Sequence, residues 1–400
     1  MFNVKTIDEA REIINGIDFT PNKITLDTVD SLGYVISKSI LSKEEVPAFN
    51  KSTVDGYACK YDDVKLTNEG SPVLLKLVGS IDMGQTSNHK LKSGEAYYVP
   101  TGGFLPSGTE VMVMIEHTEV LKDEVLIYRK HSMNQNMILK GQDIKPNTEL
   151  VSENTRITPR VIGALMSQNI KKVEVFDTLS FSVISTGDEI TDQDTIQLGQ
   201  VRDINTHSVS AYLQEKGCIV TSKEIIQDDF NKYKESIVRG FESSDVVITS
   251  GGSSVGEKDY TFRILEDIGA DVLLHGLNLK PGKPTIIATY KGKIFIGLPG
   301  HPMSAYMVMH FIMDMVLKTV YNQVDYGRPY LELELTENVN NNSGRTLAQL
   351  VSISKTHATP MHFKSAMVNV LKDAYGYILI DQNNEGLYKG DSVRVYKLGD

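Results

Sequence analysis

The 400-residue chain has no tryptophan and only two cysteines, Cys59 and Cys218. These thiols lie far apart, outside any CxxC or Cys/His cluster, so neither a disulfide framework nor a cysteine-based zinc site is signalled, and a reducing cytoplasm fits. Positive charge is also scarce: 41 Lys and Arg stand against 51 Asp and Glu, for a formal net charge of −10. An acidic surface repels phosphate backbones and anionic headgroups, so nucleic acid and membrane are not expected partners. The first ten residues, Met1 to Ala10, contain no apolar h-region, so no targeting leader is expected. The longest apolar stretch, Met303–Leu317, is interrupted by His310 and Asp314 and is short for a membrane span, so the expectation is a soluble protein. Neither GxxxxGK[ST] nor GxGxxG occurs, which removes the Walker and Rossmann phosphate loops.

What is present is ordinary globular composition, with 40% hydrophobic and 23% charged residues. The length is that of about two to four domains. Thr6-Ile7-Asp8-Glu9 is a capping-box pattern ahead of Ala10, Ile13, Ile14 and Ile17, which predicts an N-terminal helix. Short β-rich runs broken by Gly, Pro, Asn and Asp follow. Helix returns at Thr158-Pro159, a cap followed by proline at the first helical position. These changes predict a discontinuous helical domain (1–45 and 145–176) interrupted by an inserted β domain (46–144). From 177 to 322, apolar runs alternate with helical patterns, as in a doubly wound α/β domain with a parallel sheet. The expected strands are Leu179–Ser185, Cys218–Lys223, Asp245–Thr249, Thr285–Thr289 and Ile294–Leu298. Residues 323–400 return to short alternating runs and predict a C-terminal β-barrel.

Ligands of open parallel sheets bind beyond the carboxyl ends of the strands. Four loops there carry chemistry: Ser185–Glu189, Ser250–Asp259, Lys280–Pro284 and Leu298–Pro302. Glycines allow backbone N–H groups to approach an anion, and helices beginning near Asp259 and at Pro302 add positive dipole ends. Lys280 and Lys283 add formal charge, while Asp188, Glu189, Asp228 and Asp259 offer hard oxygen donors to a divalent cation such as Mg²⁺. A phosphorylated small molecule with Mg²⁺ accounts for both signs of charge. Each feature also has a plainer reading: turn glycines, caps at Asp228, Asp229 and Asp259, solvated lysines. Gly252–Gly256 matches GxSxG and raises a serine-hydrolase alternative with Ser254 as nucleophile and His275 or His301 as base, but the helical pattern starts too late for a nucleophile elbow. In the β insert, Asp55 and Thr101 sit in turn-rich segments, and Asp143 sits in the turn that closes it.

Taken in order, the segments Ser52–Ala58, Thr101–Pro106, Gly141–Ile144, Ser185–Ile190, Gly199–Asn205, Ser250–Tyr260, Lys280–Pro284 and Leu298–Ala305 resemble the molybdopterin molybdenumtransferase family, the MoeA proteins and the gephyrin E domain. The resemblance implies an enzyme that takes adenylylated molybdopterin and molybdate and, with Mg²⁺, inserts molybdenum and releases AMP. It also implies a homodimer in which the cleft lies between the α/β domain of one subunit and the inserted β domain of the other. A partner adenylyltransferase would deliver the substrate. By motif, Asp55, Thr101, Asp143, Glu189, Asp228 and Asp259 fall on catalytic positions, with Glu189, Asp228 and Asp259 as metal ligands. Gly187, Asp188, Ser250, Gly251, Gly252, Ser253, Gly256, Lys280, Lys283, Pro299, Pro302 and Ser304 fall on ligand-binding positions. Departures from the family are Val54 for Met, His301 for Asn, and Thr346–Leu350 without the Arg that usually follows a Gly-Arg pair such as Gly344-Arg345; Lys364-Ser365 matches the second half of the anion pocket. A non-catalytic scaffold of the same fold and a tungstate-preferring paralogue are the alternatives.

Overall fold

The computed structural model describes residues 4–252, 260–323 and 327–399. It divides into two compact units: Met1–Ile24, Gly33–Val35 and Phe176–Asp400 make the first, Thr25–Leu32 and Ile36–Val175 the second.

The centre of the first unit is a six-stranded sheet in the order Ile219–Ile226, Ser180–Thr186, Val246–Ser250, Lys293–Leu298, Ile286–Tyr290, Asp271–His275. The first four strands are parallel, as alternation with helices predicts. Ile286–Tyr290 runs antiparallel, which corrects the expectation of a wholly parallel sheet. The cause is local. Lys291 and Gly292 take φ of 50° and 74°, the positive pair that closes a two-residue hairpin and leaves no room for a crossover. The edge strand Asp271–His275 was not expected from sequence, because only Val272, Leu273 and Leu274 break its polar surroundings.

Both faces of the sheet are buried, and successive residues divide between them. Val246 and Ile248 belong to one apolar cluster with helices Ile7–Asn15, Asn205–Glu215 and Pro302–Val320, whereas Val247 packs with Tyr233, Ile237 and Ile264 on the other face. Pro302–Val320 spans the range expected of it from sequence and buries most of its side chains. By length and composition alone it could cross a membrane, but 72% of its most apolar window is buried inside the protein, so it serves as a core helix. The first helix carries the predicted capping box, with Glu9 N–H donating to Thr6 Oγ1 at 3.2 Å and Thr6 N–H to Glu9 Oε2 at 2.8 Å. Those contacts, with Lys5 alongside, hold the Glu9 carboxyl below its ordinary range. Its Ala10 and Ile14 join the α/β core.

Strands Tyr330–Leu335, Thr346–Ile353, His357–Pro360, Gly376–Ile380 and Ser392–Lys397 pair in a closed circuit, the expected C-terminal barrel. Leu333, Leu335, Val393 and Val395 alternate into its interior. The two-residue strand Leu279–Lys280 adds to it in parallel, opposite Thr346 and Leu347.

In the second unit a six-stranded sheet runs Val111–Met114, Gly56–Cys59, Glu95–Val99, Val73–Ser80, Glu124–Ile127, Thr118–Leu121. The chain on either side of the insert meets there: Ile40–Leu41 pairs with Glu149–Val151, and Gln168 Oε1 accepts the N–H groups of Lys43 and Glu44 at 2.9 and 3.0 Å. The helix Pro159–Ser167 starts at Thr158 as predicted. Short strands make up more of these flanks than the helical expectation allowed.

Candidate functional site

The carboxyl edge of the α/β sheet gathers most of the expected residues. Gly251 and Gly252 follow Val246–Ser250 directly, at φ of 98° and 64°. Their side-chain-free backbone is required: a Cβ on Gly251 would lie 2.3 Å from the Thr186 carbonyl oxygen, and one on Gly252 would lie 2.9 Å from Thr261 Oγ1. The Leu298–Pro302 turn lies alongside, since a Cβ on Gly300 would stand 3.5 Å from Gly251 Cα. Ser250 is buried and its hydroxyl points inward, donating to Pro299 O at 3.1 Å and accepting from Asn205 Nδ2 at 2.7 Å. It joins the two turns rather than facing outward.

Helix Pro302–Val320 begins at this edge. Pro302 has no N–H and His301 supplies no side-chain cap, so the first-turn donors point outward from the strand ends. Ser304 is buried within that turn. Instead of capping the helix, His301 directs Nδ1 to Ser365 Oγ of the barrel, 3.0 Å away. Lys280 is exposed on the barrel-paired strand, and Lys283 follows in the same loop. That loop packs closely on the long helix, for a Cβ on Gly282 would meet Val308 Cγ2 at 2.6 Å.

On the other side of the glycine turns, Asp188, Glu189 and Asp228 are exposed carboxylates. Thr186 Oγ1 donates to Asp228 Oδ1 at 3.0 Å, and Asp228 N–H donates to Asp188 Oδ1 at 3.0 Å. Glu189 folds back over Gly187, where an added Cβ would come within 2.8 Å of Oε2. Among the described residues no group of three or more His, Cys, Asp or Glu is placed to hold a metal. Asp259, the third expected ligand, lies outside the described residues, as do Ser253, Ser254 and Gly256.

Asp55, Thr101 and Asp143 belong to the second unit. Thr101 N–H donates to Asp55 Oδ1 at 2.9 Å, so two residues distant in sequence share one turn cluster, cross-linked by Gly102 N–H to Ser52 O at 2.8 Å. Asp143 is exposed on a turn held by its own N–H to Val46 O at 3.0 Å.

Sequence reasoning missed Asn205 and Asp203. Asn205 is 5% exposed and donates Nδ2 both to Ser250 and to Gly300 O at 2.8 Å, which fixes its amide orientation and leaves Oδ1 buried without a hydrogen-bond partner among the described residues. Asp203, also buried, accepts from Ser185 Oγ at 3.2 Å and from Thr206. Both fall in the Gly199–Asn205 segment that carries the resemblance, where an Asn opening a helix was the available signal. Where the family Arg was missing, Ala348 is fully buried and Gln349 donates Nε2 to Met361 O at 2.6 Å, tethering the loop that carries Ser365.

Comparisons with known proteins identify the family. Family models for the MoeA N-terminal region (domain I and II), the “Probable molybdopterin binding domain” and the MoeA C-terminal region (domain IV) match residues 5–168, 182–319 and 332–398. A Methanocaldococcus jannaschii protein named for molybdopterin biosynthesis is 30% identical over 384 residues, covering 93% of this chain and 92% of its own. A molybdopterin molybdenumtransferase of Nostoc is 30% identical over 319 residues, covering 78% and 73%. The crystal structure of a molybdopterin biosynthesis MoeA protein from Pyrococcus horikoshii superposes with a TM-score of 0.82 at 30% identity, over 100% of both chains. Matched in order from end to end by sequence and by architecture, this chain belongs to the MoeA family of molybdenum cofactor biosynthesis.

Proposed function

We propose that the protein is a molybdopterin molybdenumtransferase that takes adenylylated molybdopterin and molybdate, places molybdenum on the dithiolene and releases AMP with Mg²⁺. The observation that carries this reading is the His301–Ser365 junction, where an α/β turn and a barrel loop meet beside the glycine turns at the sheet's carboxyl edge. Molybdate is a dianion, and Lys280, Lys283 and the outward first-turn N–H groups of Pro302–Val320 suit it. Asp228 and Glu189 fit Mg²⁺ by donor chemistry, being exposed hard-oxygen carboxylates on neighbouring turns; such sites commonly use one or two carboxylates with substrate phosphates. When bound, Mg²⁺ supplies polarisation of the phosphoanhydride.

The remaining work is positioning. The Gly251–Gly252 turn faces the phosphates, while the lysines and Ser365 hold molybdate. An oxygen of molybdate attacks the adenylyl phosphorus, and the anhydride P–O bond breaks with the pterin phosphate leaving. The Mo–O bond then breaks as the dithiolate sulfurs bind molybdenum, so that oxygen stays in AMP. We further read the chain as a cytoplasmic homodimer, served by an adenylyltransferase, in which the second copy contributes Asp55, Thr101 and Asp143. The test is AMP release from adenylylated molybdopterin with Mg²⁺, with and without molybdate or tungstate. Molybdate-stimulated release, with ¹⁸O passing from molybdate into AMP, is expected. Pterin retained without AMP release would replace this reading with a carrier or scaffold role, and stimulation by tungstate alone would reassign the metal.

A further inference from the structure

Arg328 joins the long helix to the barrel through side-chain hydrogen bonds on both. Arg328 uses all three guanidinium nitrogens: Nε donates to Asp314 Oδ2 at 3.3 Å, Nη2 to His310 O at 2.7 Å, and Nη1 to the Tyr377 hydroxyl. Its guanidinium lies over the Phe311 ring, 5.0 Å from the centroid. Two of these partners and the ring belong to helix Pro302–Val320, while Tyr377 belongs to barrel strand Gly376–Ile380.

Around the clamp the packing is apolar and continuous. Tyr377, Ala348 and Leu350 of the barrel share a core with Met307, Val308 and Phe311 of the helix. Hydrophobic burial is non-directional and holds the two together without fixing their angle. A planar fork with three donors engaged in three directions does fix it, and an ammonium cannot reproduce that geometry.

A short chain of contacts leads from this clamp to the oxyanion end of the site. Tyr377 stands directly opposite Leu350 in the barrel register. Leu350 O accepts from Met361 N–H at 2.9 Å, and Gln349 Nε2 holds Met361 O. Met361 opens the loop that places Ser365 Oγ 3.0 Å from His301 Nδ1, at the start of the helix that Arg328 grips farther along. Leu347, on the strand that carries Leu350, pairs with Lys280.

The geometry points to Arg328 as a positioning residue for the transferase reaction: by locking barrel to helix, it sets where Ser365 and the Lys280 strand face the bound oxyanion. This rests on the functional reading above, and the experiment separates the two. Ser365→Ala, Arg328→Lys, Tyr377→Phe and the Arg328→Lys/Ser365→Ala double variant are compared in full-length protein by the molybdate dependence of AMP release, by pterin affinity and by thermal midpoint. Tyr377→Phe removes only the hydroxyl and keeps the ring in its apolar site.

Arg328→Lys should raise KM for molybdate about tenfold, with kcat and pterin affinity within about twofold, and Tyr377→Phe should shift KM the same way by less. The double variant should lose less than the two single effects combined, because part of the Arg328 effect passes through Ser365; independent structural damage would add in full instead. Ser365→Ala without effect on molybdate KM overturns the oxyanion-site reading and this proposal with it. An effect of Ser365→Ala with none of Tyr377→Phe and Arg328→Lys, or additive losses in the double variant, overturns the positioning role alone. If Arg328→Lys fails to fold, Tyr377→Phe decides.

Discussion

At the scale of single residues, the candidate site is built from close backbone approaches as much as from charged groups. Gly251 combines a positive φ of 98° with a carbonyl 2.3 Å from where its Cβ would be. Gly251→Ala therefore adds left-handed strain to a backbone clash, and stability should fall by about 2–4 kcal/mol in urea unfolding. An unchanged midpoint would mean that Thr186 can retreat without cost. The glycines were legible in the sequence as turns capable of meeting an anion. Their dependence on Thr186 was not, because that contact exists only once two parallel strands lie side by side. Asn205 was hidden for the same reason: Ser250 and Gly300 become its partners through strand order, not through spacing.

At the scale of elements, helix Pro302–Val320 buries a histidine in an aromatic enclosure. His310 lies between Tyr212, Phe311 and Tyr377, and both ring nitrogens are buried without hydrogen-bond partners among the described residues. Burial, assisted by the Arg328 charge, pushes its pKa from 6.5 down to about 3. Below pH about 6.5 the unfolded chain takes up a proton that the folded protein refuses. The stability this group contributes is thus present above that pH and is lost as pH falls towards 3. Urea titrations at pH 7 and 5 should show that His310→Phe, which keeps an aromatic ring in the enclosure, removes on the order of 1 kcal/mol of acid sensitivity per pH unit. An identical pH slope in both proteins would show that His310 is protonated when folded. Caps and strand runs made most elements readable, as at Thr6/Glu9 and Thr158/Pro159. Strand direction was misread at Ile286–Tyr290, where the Lys291-Gly292 hairpin signal was present but periodicity is blind to orientation.

At the scale of the whole molecule, the site residues are divided between two compact units, with Asp55, Thr101 and Asp143 in one and the glycine turns, lysines and Asp228 in the other. The proposed dimer requires that two inactive variants rescue each other. Mixed refolding of Asp55→Ala with Lys283→Ala should restore up to about a quarter of wild-type AMP release, because a random mixture includes hybrids with one intact cleft. No recovery from a mixture shown to contain hybrids would put all the residues of a site on one chain. The order of the domains was legible from shifts in periodicity along the chain. The His301–Ser365 junction was not, because it depends on how a closed barrel seats on a helix.

The ladder between Leu279–Lys280 and Thr346–Leu347 also bears on how this protein can be divided. A gene fragment ending after the long helix would encode the full α/β sheet, yet it would strip the lysine loop of the strand that holds its backbone. An excised copy should therefore lose the order of the segment that carries both lysines, and it would also expose Met307, Val308 and Phe311 of the long helix, which pack on the barrel.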